Sequence, residues 1–155
     1  MSYQTAPNTA GDIVLLIARI YITLPDDADL KRLHTYSNTD FKWRKTCVKC
    51  NINPCVLKRI LRQVKEDYEW LKHRDKKGRL RVFKLREIIT LFVSLTNSFE
   101  RRDWELIMAY HDLDGVIEDI CAKHNITRDG FYRFLRDKIK KPYMKLFSHP
   151  TQSID

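Results

Sequence analysis

Apolar residues recur at helical spacing along most of this chain. The clearest runs are Ile13, Leu16, Ile17 and Ile20, and then Ile88, Leu91, Phe92 and Leu95. This spacing places the members of each run on one face of a helix. Segments that alternate apolar and polar residues are scarce, and only four glycines and five prolines interrupt the chain. The pattern therefore predicts an all-α protein.

The chain also contains an internal repeat with an offset of 74 positions. Residues 47–62 reappear as residues 121–136 without a gap, and Cys47, Lys49, Asn51, Ile52, Arg59, Leu61 and Arg62 are identical in both copies. The same offset pairs Asp29, Tyr36 and Asp40 with Asp103, Tyr110 and Asp114. With one extra residue, 12–20 aligns with 87–95. Residues 12–75 and 87–149 therefore read as a duplication, which must be recognised before the fold is assigned.

In the second copy, residues 114–124 are predicted to form a helix. Asn125 follows where a turn needs a residue that tolerates positive φ, and Thr127 is a good N-cap for the next helix. In that helix Phe131, Phe134 and Leu135 are predicted to pack inward. The second copy therefore reads as helix, tight turn and basic helix.

The first copy follows the same plan. Residues 41–50 are the predicted supporting helix, and Asn51 and Ile52 form the turn. Asn53 is the predicted N-cap, and Pro54 takes the first helical position, where its missing N–H costs nothing. The second helix is predicted to run from Pro54 to about Lys72.

Both copies resemble the helix-turn-helix family of DNA-binding proteins, in which the second helix enters the major groove. The resemblance covers about 22 residues in the second copy, from Val116 to Asp137, and is positional in the first. It implies that polar side chains on the outer face of each second helix contact DNA. These are Asn53, Lys58, Arg59 and Arg62 in the first copy, and Thr127, Arg128, Tyr132, Arg133 and Arg136 in the second.

Arg59 and Arg133 occupy matching positions and are predicted to do similar jobs. Arginine can donate two parallel hydrogen bonds to guanine O6 and N7, whereas lysine is a point charge suited to phosphate. The neighbouring residues differ, with Lys58 opposite Tyr132. The two copies are therefore expected to read unequal half-sites. A solvated helix face without a ligand is the alternative interpretation.

The formal net charge of +9 favours a polyanionic partner. Residues 72–86 carry eight Lys or Arg and one Asp, and Lys76, Lys77, Arg79 and Arg81 are candidate phosphate contacts. Residues 79–85 form either a short β-hairpin arm or a plain linker. Lys140 and Lys141, in a C-terminal basic run, are further candidates for backbone contact. Pro142 is predicted to end the recognition helix that precedes it.

Two other kinds of site are considered and not favoured. Cys47, Cys50 and Cys55 have part of a zinc-ligand spacing, but the repeat explains their positions and the second copy lacks a full ligand set. No nucleophile motif or glycine-rich phosphate loop is present. The acidic residues Asp112, Asp114, Glu118 and Asp119 suit the exposed face and N-terminal turn of the supporting helix in the second copy. We therefore expect no metal, no cofactor and no enzymatic activity.

The sequence thus predicts two related helix-turn-helix subdomains that pack together: residues 1–75 and 87–155, joined by a basic connector at 76–86. The expected function is sequence-specific binding of double-stranded DNA by a transcriptional regulator. One alternative is a DNA-bound adaptor that recruits RNA polymerase, a recombinase or a packaging enzyme, and another is a non-specific nucleic-acid binder. No membrane segment is evident, and a cytoplasmic location is expected. The target sequence and oligomeric state stay open.

Overall fold

The computed structural model describes the backbone of residues 2–74 and 83–147 and the side chains of residues 10–74 and 83–147. Within these ranges the chain forms nine α-helices and no strand. The helices are α1 (Ser2–Thr23), α2 (Asp27–Asn38), α3 (Trp43–Cys50), α4 (Pro54–Arg74), α5 (Leu85–Thr96), α6 (Arg101–Asp112), α7 (Ile117–His124), α8 (Arg128–Phe134) and α9 (Lys141–Phe147). The all-α prediction is confirmed. The suggested β-arm and the cations Lys76, Lys77, Arg79 and Arg81 lie outside the described residues.

The chain divides into two compact units. One, the first-copy unit, comprises Arg19–Val93, and the other, the second-copy unit, comprises Met1–Ala18 together with Ser94–Asp155. Helices α1 and α5, which the repeat aligns with each other, each belong mainly to the unit formed by the other repeat. Most of α1, from the first repeat, belongs to the second-copy unit, and most of α5, from the second repeat, belongs to the first-copy unit.

Each unit has its own apolar core. In the first-copy unit, Leu33 of α2 and Ile60 and Val64 of α4 are fully buried. In the second-copy unit, Ile107 of α6 and Phe131 of α8 are fully buried. The inward-facing residues predicted for the second helix of the second copy, Phe131, Phe134 and Leu135, are all buried, so that part of the prediction is confirmed.

The two asparagine turns have the same local geometry. Asn51 follows α3 with φ 54°, and Asn125 follows α7 with φ 52°, both in the left-handed region. The next residue donates its backbone N–H to the carbonyl of the repeated cysteine in each copy: Ile52 to Cys47 at 3.0 Å and Ile126 to Cys121 at 3.2 Å. Asparagine tolerates this conformation better than most residues, which explains its presence in both copies.

A second pair of turns repeats at the same offset and was not predicted. Asp40 and Phe41 both have positive φ, and so do their equivalents Asp114 and Gly115. Phe41 donates its N–H to Tyr36, and Gly115 donates to Tyr110, each at 2.9 Å. These turns replace the first residues of the predicted supporting helices. Helix α3 therefore begins at Trp43 rather than 41, and α7 begins at Ile117 rather than 114.

Pro142 does not end the helix before it, so that prediction is wrong. Residues 135–140 form a π-helical turn that runs directly into α9, where Pro142 is the second residue. Lys141 donates its N–H to the carbonyl of Arg136, five residues back. The wider turn shifts the hydrogen-bond register ahead of the proline, which has no N–H to donate, and the helical path continues.

Candidate nucleic-acid interface

The start of each second helix is capped as the sequence predicts. The Thr127 hydroxyl accepts a hydrogen bond from the Gly130 N–H at 3.0 Å. In the first copy the Asn53 side chain accepts from the Cys55 N–H at 2.7 Å. Because these side-chain oxygens satisfy helix N–H groups, Asn53 and Thr127 stabilise the leading ends of α4 and α8. Both residues are also exposed.

The basic residues of the second copy gather around a groove of about 440 Å³ on α8 and the π-helical turn. Its lining residues are Ala10, Asp129, Tyr132, Arg133, Leu135, Arg136 and Lys140. Four of the predicted contact residues therefore share one surface: Tyr132, Arg133, Arg136 and Lys140. Asp129 adds one carboxylate to three cations, so the lining is predominantly positive and suits an anionic group.

The exposed arginines of this surface differ in their partners. Arg128 donates to Glu118 at 2.6 Å, and Arg136 donates to Asp137 at 3.0 Å, a hydrogen bond that lowers the pKa of Asp137. Both pairs are open to solvent and are worth little. Arg133 is exposed and forms no hydrogen bond or ion pair with any described residue. Lys141, also exposed, lies 3.6 Å from Asp137.

The basic residues of the first copy are arranged differently. Lys58 and Arg62 are exposed on α4, but Arg59 is drawn to Asp29 at the start of α2. The Arg59 Nη2 atom lies 3.1 Å from Asp29 Oδ1 and 3.2 Å from Oδ2. Arg32 donates to the same Oδ1 at 2.8 Å. The structure therefore places the repeated arginine in an internal ion-pair network.

Asp29 and its equivalent Asp103 are buried carboxylates to which the sequence analysis gave no role. Asp103 accepts the backbone N–H of Glu100 at 2.8 Å and lies 3.3 Å from Lys138 Nζ. Each buried charge therefore has a cation, as burial demands. Both residues are aspartates separated by the 74-residue offset of the repeat. That identity indicates a shared structural role, such as a buried acid paired with a basic residue.

Equivalent positions line one groove in each unit. In the first-copy unit a groove of about 340 Å³ is lined by Tyr36, Trp43, Pro54, Leu57, Lys58 and Leu61. In the second-copy unit a groove of about 250 Å³ is lined by Gly11, Asp12, Leu15, Tyr110, Gly115, Ile117, Tyr132 and Leu135. Tyr110, Ile117, Tyr132 and Leu135 are the equivalents of Tyr36, Trp43, Lys58 and Leu61. Helix α1 contributes Gly11, Asp12 and Leu15 to the lining of the second-copy groove.

The four cysteines differ in their exposure. Cys47 is buried, whereas Cys55 is exposed, and all four cysteines are free thiols. Among the residues that the structure describes, no three His, Cys, Asp or Glu side chains are grouped as metal ligands. Over the same part of the chain, no helix is long and apolar enough to cross a membrane.

No protein-family model, curated protein or solved structure matches this chain. What this chain does must therefore be inferred from the geometry of the two units and the chemistry of their exposed side chains.

Proposed function

We propose that this protein binds double-stranded DNA with sequence preference and acts as a transcriptional regulator, using two helix-turn-helix units on a bipartite site. The observation that carries the proposal is the repeated helix, left-handed asparagine and capped second helix, with an exposed basic face on α8. A capped helix that presents arginine at its solvent face is suited to the major groove.

The two asparagine turns support the comparison with helix-turn-helix proteins. Each joins a two-turn helix to a helix with a polar outer face, and each is fixed by the same backbone hydrogen bond to a cysteine carbonyl. The small supporting helix leaves the next helix free to project its outer side chains. A cytoplasmic location, where the chain meets DNA, belongs to the same proposal.

Selection from a pool of random duplex DNA tests the proposal. We expect the bound fraction to converge on one sequence, and the affinity for that sequence to fall steeply as salt rises, because each neutralised phosphate releases counterions. The selected duplex should bind at least about a thousandfold more tightly than a scrambled duplex of equal length. Binding without convergence would instead identify a non-specific nucleic-acid binder.

A DNA-bound adaptor is the second candidate, and one observation favours it. Within a strongly basic chain, exposed carboxylates occur at the end of α6, in the turn that follows it and on α7: Asp112, Asp114, Glu118 and Asp119. Such a patch would repel DNA and can contact a basic surface of an enzyme such as RNA polymerase, a recombinase or a packaging enzyme. Recovery of the polymerase by this chain without DNA, lost when the four acids are made amides, would favour the adaptor.

A further inference from the structure

We infer that base readout is concentrated in the second-copy unit, and that Asp29 withholds Arg59 of the first-copy unit from base contact. The inference rests on the proposed DNA binding and assigns unequal roles to its two units. It concerns two arginines that the repeat makes equivalent, Arg59 and Arg133, and that their surroundings make different.

The hydrogen bonds of Arg59 to Asp29 engage Nη2, the nitrogen that both two-donor edges of a guanidinium share. A guanidinium offers two pairs of parallel donors, Nη1 with Nη2 and Nε with Nη2, and both pairs include Nη2. In Arg59 this Nη2 contacts both carboxylate oxygens of Asp29, at 3.1 and 3.2 Å. Because Nη2 carries two N–H groups and the carboxylate occupies one or both of them, the pair holds the guanidinium at Asp29 and competes with guanine O6 and N7 for its donors.

The pair with Asp29 is costly to break because Asp29 is buried, with 4% of its surface exposed. Removing Arg59 from it would leave the buried carboxylate with Arg32 as its remaining cation. Arg59 itself has a half-exposed side chain, so the restriction comes from its partner and not from burial. A DNA base would have to compete with this internal carboxylate for Nη2.

The second copy satisfies its buried acid in another way. Asp103 is paired with Lys138 from the π-helical turn and accepts the Glu100 N–H. Arg32 has Leu106 as its equivalent in the second copy, whereas Lys138 lies beyond residues 121–136, where the two copies align without a gap. The two copies thus exchange the source of the neutralising cation, and this exchange leaves Arg133 available at the solvent face.

The surroundings of Arg133 also suit a DNA contact. Tyr132, Arg136 and Lys140 line the same groove, so phosphate contacts can flank the arginine that reads a base. The first-copy unit keeps Lys58 and Arg62 as exposed cations without a described partner. These two are suited to the DNA backbone, which positions a protein without reading sequence.

Charge-conserving substitutions distinguish sequence-specific base contacts from non-specific electrostatic attraction to DNA. Lysine keeps the positive charge and can still pair with a carboxylate, but it lacks the planar fork of arginine. We expect Arg133→Lys to lower the ratio of specific to random DNA affinity by about tenfold or more. Arg59→Lys should change the same ratio by less than about threefold. Each duplex is measured at one fixed salt concentration, and circular dichroism verifies folding.

Isosteric amides at the buried acids test the role of Asp29 itself. In an Asp29→Asn background Nη2 of Arg59 is released from its ionic partner, so Arg59→Lys should alter the ratio by more than it does in the wild type. Asp103→Asn is the matched control and should leave the effect of Arg133→Lys unchanged. If Asp29→Asn fails to fold, the two lysine substitutions alone decide the question.

The outcomes are distinct. Equal losses of discrimination for Arg59→Lys and Arg133→Lys would overturn the inference and leave DNA binding intact. A wild-type chain with no sequence preference would overturn the proposed function, and the inference with it.

Discussion

At the scale of single residues, equivalent side chains of the two repeats have different ion-pair partners, which the repeat alone does not reveal. The sequence identifies Arg59 and Arg133 as equivalent because they occupy the same repeat position. It does not reveal that Asp29, thirty residues away, pairs with Arg59, because ion pairs across helices depend on packing geometry. The capping roles of Asn53 and Thr127 were predictable, because a cap depends on neighbours in the chain.

Asp67 in α4 is a third buried carboxylate, and it gives a pH-dependent prediction. Burial raises the pKa of Asp67 to about 6 from its ordinary 3.8, although hydrogen bonds from Thr23 and Gln63 and the nearby Arg19 oppose that rise. Glu66 adds to the increase. Between pH 4 and 6 the folded chain therefore binds more protons at this site than the unfolded chain. Its contribution to the free energy of unfolding must fall as pH rises through that window.

Asp67→Asn removes this titration. We expect the free energy of unfolding of the variant, relative to wild type, to increase by about 2–3 kcal/mol between pH 4 and pH 7. Urea unfolding of both proteins at pH 4, 5, 6 and 7 measures the difference. A difference that stays constant over this range would show that Asp67 titrates in the folded chain as it does in the unfolded one.

At the scale of helices and turns, the sequence predicts the elements better than their ends. It locates α4 almost in full and both asparagine turns, since periodicity and turn chemistry are local signals. It places the start of α3 at 41 although Phe41 has φ 60°, because phenylalanine gives no sign of a left-handed turn. Its equivalent Gly115 does give that sign. The π-helical turn that accommodates Pro142 has no comparably clear local signal.

The asparagine turns yield a matched pair of substitutions. Asn51→Ala and Asn125→Ala should each lower the free energy of unfolding by about 1 kcal/mol, because alanine pays a steric cost at positive φ. Glycine at either position should restore the stability to within about 0.5 kcal/mol, since it lacks that cost. Chemical denaturation of the four variants measures both effects. A glycine variant less stable than its alanine counterpart would mean that the Asn side chain, and not its φ, matters at that turn.

At the scale of the whole molecule, the duplication is visible in the sequence but the composition of the units is not. Each unit takes most of one helix from the other repeat, as α1 and α5 show. Sequence similarity between repeats cannot distinguish a helix that packs in its own copy from one that packs in the other, because both arrangements bury the same apolar faces. The two basic surfaces differ because some equivalent positions carry different residues, such as Arg32 in the first copy and Leu106 in the second.

The proposal for the whole chain is a bipartite DNA site with unequal halves. Recognition helices on the same face of a duplex contact segments about one turn, roughly 10 base pairs, apart. If Arg133 reads bases and the first-copy unit binds mainly phosphates, both halves of the site should show backbone protection. Only the half bound by the second-copy unit should depend on base identity. Two independent chemical probes can detect that difference.

Footprinting of the selected duplex with hydroxyl radicals, together with guanine methylation interference, is the most direct test. We expect two protected backbone segments about 10 base pairs apart, with methylation interference confined to one segment and abolished there by Arg133→Lys. One protected segment of about 4–6 base pairs, or equal interference in both, would contradict this expectation.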